Sequence, residues 1–175
     1  PLEADDSGIP AILFRYRVRN RTEASVEVSV AGTLRNIIGQ STAFSAGLAN
    51  EFVQEEEISG IHFVNPSIPQ DDLAFGSMAL MTTGRDITAR TEWLATGFAG
   101  WDGLPEFWAD FLEDGRLDPA PRFRPAGASA WNEFKVASLA CSATLLAGQE
   151  TSFEFILAWH FPNRPRGWTE CGCQG

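Results

Sequence analysis

A period of two in hydropathy, repeated along the chain, limits the fold more than any other feature. In "AILFRYRVRN", Ala11 to Asn20, Ile12, Phe14, Tyr16 and Val18 take one parity and Arg15, Arg17 and Arg19 the other. Side chains of a strand point alternately to its two faces, so this is the pattern of a half-buried β-strand. "VEVSVAGTLRNIIG", Val26 to Gly39, repeats it with Val26, Val28 and Val30, and the polar "NRTEAS" between the runs is a turn. The two runs are expected to form an antiparallel hairpin. Gln40 to Asn50 is small and polar and is expected to be a loop. Ile58 to Asn65 and Ala74 to Gly84 are further strands around the turn-rich "PSIPQDD", with another over Ala89 to Gly97. Lys135 to Phe161 holds two long strands joined by a turn at Gly148 and Gln149.

One stretch changes period. In "WDGLPEFWADFLEDGRL", Leu104, Phe107, Trp108, Phe111 and Leu112 recur at helical spacing. Pro105 suits a first helical turn, Glu106 places negative charge near the N-terminus, and Gly115 suits a C-terminal stop, so a helix is expected from Pro105 to Asp114. Many short strands with one short helix predict a mainly β chain, an antiparallel β-sandwich forming one domain over residues 1–175.

The 175 residues suffice for a sizeable core, and 44% apolar with 21% charged residues is a globular balance. The formal net charge of -10 opposes nonspecific binding to nucleic acid or to anionic membranes. No apolar run approaches the ~20 residues of a spanning helix. The sequence begins at Pro1 without an initiator methionine, which leaves a processed or excised segment open. Three cysteines, Cys141, Cys171 and Cys173, form no closed disulfide framework, and this leans towards a reducing, cytoplasmic compartment. "CGC" at Cys171 to Cys173 is a weak metal cue without a second ligand pair.

The chemistry-bearing residues have plain explanations. Asp71 and Asp72 sit in a turn. Asp102, Glu106, Asp110 and Glu113 lie on or beside the helix, and its wet side is expected to hold them. Glu55, Glu56 and Glu57 are expected to be solvated surface. His62 falls inside a strand and His160 at a strand end; no nucleophile elbow and no phosphate-gripping glycine loop occurs. The residues describe a domain with no active centre of its own, and two His and three scattered Cys are too few for a zinc site; no cofactor is expected.

Several stretches taken together resemble one family. "DDSGIPAILFRYRVRNRTEASVEVSVAGTLRNIIG", "GIHFVN", "GSMALMT", "FWADFLEDGRL" and "LLAGQETSFEFILAWHFPNR" follow, in order, the amino-terminal domain of glycoside hydrolase family 116, the non-lysosomal glucosylceramidases and bacterial β-glucosidases. The resemblance covers nearly the whole chain. It implies a large β-sandwich preceding an (α/α)6 barrel, so this chain would be part of a larger sandwich domain. It also implies that the nucleophile Glu, the acid/base Asp and the main glucose-binding residues belong to the barrel; none of those motifs can be placed here, and this chain alone is expected to be inactive. The implied partners are that α-helical barrel of the same polypeptide and, through it, a β-glucoside. A membrane would be met only through a glycolipid substrate.

"FEFILAWHFPNRPRGW", Phe153 to Trp168, then becomes the stretch to watch. Trp159 and Phe161 share one parity and His160 takes the other; Pro162 ends the ladder, having no N–H to donate. Arg164 offers a five-donor fork suited to a carboxylate or carbonyl cluster. Trp159, His160, Arg164 and Trp168 are the candidates for domain docking or for the border of a substrate entrance. The alternative is a free-standing carbohydrate-binding or protein-interaction module, with an aromatic patch drawn from Trp101, Trp108, Trp159 and Trp168. Core packing is the default for the stripe of Trp101, Phe107, Trp108 and Phe111, and core or edge packing for Trp93 and Trp131.

Overall fold

The alternating runs become strands in a computed structural model that describes residues 8–39, 42–43, 47–93, 103–119 and 135–163. In chain order these are β1 (Ala11–Arg19), β2 (Val26–Arg35), β3 (Ala49–Gln54), β4 (Ser59–Val64), β5 (Ser77–Thr82), β6 (Ile87–Arg90), helix α1 (Gly103–Asp114), β7 (Val136–Leu145) and β8 (Glu150–His160). They build two antiparallel sheets, one of five strands in the order β1-β8-β5-β4-β3 and one of three in the order β2-β7-β6. The sandwich expected from the alternation is present.

The hairpin expected from the first two runs is not. β1 pairs with β8, from Ala11 opposite Ala158 to Arg19 opposite Glu150. β2 pairs with β7 in the other sheet, from Val26 opposite Leu145 to Arg35 opposite Val136. Each run finds a partner far along the chain instead, and the two strands end up in different sheets. Asn20 supports the crossing. The chain crosses between sheets after β1 and again after β7, and the two crossings lie together. Asn20 N donates to Gln149 O at 2.9 Å and Gly148 N donates to Asn20 O at 3.1 Å. The Asn20 amide, 4% exposed, also donates to Leu145 O at 2.9 Å and Ala24 O at 2.7 Å.

The core lies between the sheets. Phe153 and Phe155 of β8, Ile61 and Phe63 of β4, Leu80 of β5 and Leu139 of β7 are its main members. Cys141, also in it, has its thiol pushed above the usual range by burial, partly offset by a hydrogen bond with Thr82. The odd residues of β7 face this core, so Ala140 faces the other way, where it meets Trp93, Leu117, Phe107 and Phe111. α1 therefore covers the outer face of the three-stranded sheet. Gly115 ends it as expected, with φ of 74° and its N–H on Phe111 O at 2.9 Å.

Three other expectations shift. Part of the expected loop is β3, which begins at Ala49. The strand expected over Ala89 to Gly97 runs from Ile87 to Arg90, and residues 94–97 lie outside the described residues. β1 is far more exposed than half-buried, since it ends its sheet. Glu55, Glu56 and Glu57 are exposed, as expected.

Candidate functional site

Trp159, His160 and Phe161 end β8 as their parity demands. Trp159 and Phe161 pack against the core, in line with Phe153, Phe155 and Leu157, while His160 is exposed on the opposite face. Trp159 N donates to Pro10 O at 3.0 Å, which fastens the start of the described chain to this end. Pro10, Trp159, His160 and Phe161 line a hollow of about 370 Å³. Gly76 belongs to the same corner: a Cβ there would stand 2.3 Å from the Phe161 ring, so only glycine lets β8 pass.

Asn163 closes the corner. Its amide nitrogen lies 2.7 Å from both Gln70 O and Asp72 O, so its two hydrogens bind the turn between β4 and β5 to the exit of β8. Asp72 is occupied in that turn, with Oδ1 accepting from Ala74 N at 2.7 Å. Asn163→Ala is expected to cost about 1–2 kcal/mol, the loss of two partly exposed hydrogen bonds. Amide exchange should speed up between residues 70 and 76; unchanged exchange there would remove the staple role.

Among the described residues this corner holds no pair of groups suited to hydrolysis. Its lining offers an imidazole, two aromatic rings and a proline ring. Among the described residues no carboxyl pair lines the hollow, and such a pair is what glycoside hydrolysis requires. Those residues can make apolar and stacking contacts, with polar contacts open to the His160 imidazole. Arg164 and Trp168 lie outside the described residues, as do Trp101, Asp102, Trp131, Cys171 and Cys173.

Of the four candidates for an aromatic patch, the two among the described residues, Trp108 and Trp159, lie apart. Trp159 sits on the inner face of the five-stranded sheet, whereas Trp108 lies on α1, 50% exposed, on the far side of the three-stranded sheet. Phe107 and Phe111 of the helical stripe pack on that sheet, and Trp93 is 3% exposed. Its indole N–H donates to Ser138 Oγ at 2.8 Å, and Ser138 Oγ is 2.7 Å from Thr33 Oγ1.

Glu106 and Asp110 are not on the wet side of α1. Both turn to Arg90, whose side chain is only 7% exposed. Glu106 bonds its guanidinium directly and Asp110 stands 3.7 Å from it, with side chains 27% and 12% exposed. The guanidinium also lies 4.1 Å from the Trp93 ring centroid, and its Nε donates to Glu92 O at 3.3 Å. Residues four apart share a helix face, and a cation buried in the sheet below draws that face inwards. The helix exit is clipped as well. Arg116 donates to both Asp86 oxygens, at 2.7 and 3.1 Å, and that hydrogen bonding holds the Asp86 carboxyl below its usual range. These acidic groups bind a helix to a sheet, which excludes them as a pair poised across a substrate. Among the described residues no group of three or more His, Cys, Asp or Glu is placed to hold a metal ion.

Comparison with known families gives one match that bears on this geometry. The family model described as beta-glucosidase 2, glycosyl-hydrolase family 116 N-term, matches residues 1–173.

Proposed function

Because the chain belongs to that glycoside hydrolase family, as a match over nearly its whole length shows, we propose that it braces the catalytic (α/α)6 barrel of a retaining β-glucosidase or glucosylceramidase and borders the entrance to its cleft. The match to the amino-terminal part of a larger hydrolase carries this reading. The use of the local carboxylates supports it. A retaining glycosidase sets an acid/base and a nucleophile about 5–5.5 Å apart across the glycosidic bond. In this chain Glu106 and Asp110 are held by Arg90, Asp86 by Arg116, and Asp72 by its own turn. The pair, the glucoside and its aglycone then belong to the barrel.

The test is aryl β-glucoside hydrolysis by three samples: this chain, the remainder of its parent polypeptide, and the two mixed. Activity confined to the mixture, or much higher there, is the expected result. A remainder fully active alone would overturn the bracing role. Hydrolysis by this chain alone would overturn the assignment of chemistry to the barrel.

A further inference from the structure

Asn20 opens the one triplet in the sequence that has the form of an N-glycan acceptor. Asn20-Arg21-Thr22 reads Asn-x-Thr. The other asparagines lack a hydroxyl residue two places on, except Asn65, and there the middle residue, Pro66, bars transfer. Such acceptors belong on surface loops that an enzyme can reach. This one lies in the connection between β1 and β2, yet Asn20 is only 4% exposed.

The hydrogen bonds of Asn20 fall into two sets by range. Within the turn, Thr22 N and Thr22 Oγ1 donate to Asn20 Oδ1 at 2.9 and 2.8 Å, and Asn20 Nδ2 donates to Ala24 O at 2.7 Å. These bonds involve residues 20–24 alone, so the turn needs no other strand in order to form. The second set comes from far along the chain. Nδ2 also donates to Leu145 O at 2.9 Å, Asn20 N donates to Gln149 O at 2.9 Å, and Gly148 N donates to Asn20 O at 3.1 Å. The end of β7 and the turn after it therefore lock the amide in place. In a chain that has not yet joined β7 and β8, that lock is missing while the local turn is already available.

We infer that Asn20 is an N-glycan acceptor of the unfolded chain that folding withdraws, and that a glycan placed there blocks the crossing from β1 to β2. The donor is a lipid-pyrophosphate-linked oligosaccharide. Transfer forms a bond from Asn20 Nδ2 to the anomeric carbon and breaks the bond from that carbon to the phosphate oxygen. The lipid pyrophosphate leaves with the electron pair, and one amide proton is released. Both amide hydrogens are in use in the folded chain, one on Ala24 O and one on Leu145 O. Replacing either by a sugar leaves a carbonyl without its donor and sets a bulky ring where the residue is 4% exposed. Glycosylation and folding thus compete for one amide, and the chain folds only where Asn20 is still bare when β7 and β8 join. The inference is independent of the bracing role.

The test presents the chain to oligosaccharyltransferase in two states. In one it is translated into endoplasmic reticulum microsomes behind an added secretory leader. In the other the completed, folded chain meets the same enzyme and donor in detergent. A single glycan is expected on the chain in microsomes, lost with Thr22→Val and kept with Thr22→Ser, which preserves the hydroxyl. The folded chain should be modified about a hundredfold more slowly, because the corner must open first. Glycosylated chain from the microsomes should be cut by trypsin about tenfold faster than bare chain from the same sample, since more of it stands open. The inference is overturned by a chain left bare in microsomes, by a folded chain modified as fast as the one being translated, or by a glycosylated chain that resists trypsin no less than the bare one.

Discussion

Replacing Arg90 by alanine should destabilise the chain by about 3 kcal/mol in urea unfolding at neutral pH, because it leaves two carboxylates facing a covered sheet with their cation gone. The side chains of Glu106 and Asp110 are 27% and 12% exposed, so neither recovers full hydration when the guanidinium leaves. Trp93 loses the cation over its ring, and Glu92 O loses a donor. The companion experiment replaces all three members at once, Arg90→Met with Glu106→Gln and Asp110→Asn. This should recover most of the loss, since a buried ion cluster and an uncharged one of similar volume are often close in free energy. A single-variant loss well under about 1 kcal/mol would mean the cluster behaves as a surface ion pair.

Asn36→Ala should cost about as much, roughly 3 kcal/mol, through a different route. Asn36 is 1% exposed and sits where β2 leaves its sheet. Its amide nitrogen lies 2.9 Å from Val64 O and 3.0 Å from both Ala49 O and Asn50 Oδ1, so two hydrogens serve three acceptors on β3 and at β4. Its oxygen accepts from Ile38 N at 3.0 Å. Truncation takes a donor from the part-buried Ala49 and Val64 carbonyls and the acceptor from Ile38 N. Asn36→Asp is the sharper probe. At neutral pH it sets a carboxylate against three oxygens, and both burial and those acceptors raise its folded pKa above the unfolded value. The neutral acid can donate, so the variant should be most stable below the unfolded carboxyl pKa and lose that stability as pH rises through the folded one. A variant equally stable at acid and neutral pH would place Asn36 outside the network.

What was legible in the sequence follows from range. The parity of Phe153 to Phe161 names the buried face of β8 without any knowledge of its neighbours, and the periodicity and stop signal of α1 place the helix nearly to the residue. Which strands pair is not local information. The β1–β2 hairpin was the natural expectation for adjacent runs, and it fails because each finds its partner more than a hundred residues away. β3 escaped notice because Phe52 and Val53 are surrounded by polar residues, so no alternation marks it. Asn20, Asn36 and Asn163 carry no hydropathy signal, although they join the corners of the sandwich. Glu106 and Asp110 looked solvated because nothing in the helix reveals the arginine beneath it. At the candidate site, the roles of Trp159 and His160 in packing and exposure were readable from their parity alone. Asn163, which does the stapling, offers no such signal in the sequence.

The nested pairing has a consequence for how the chain is made. β3, β4 and β5 pair with near neighbours and can zip together as they leave the ribosome, but β1 and β2 are synthesised long before β8 and β7 exist. Pairings of such sequence separation are slow to form, and strands waiting for them present bare edges to anything nearby. Of the described strands β8 is made last, and it lies inside the five-stranded sheet, between β1 and β5. Translation halted before Glu150 therefore yields no smaller sandwich with one strand missing from its rim. It yields a sheet without its middle, and β1 without the one partner it has among the described strands.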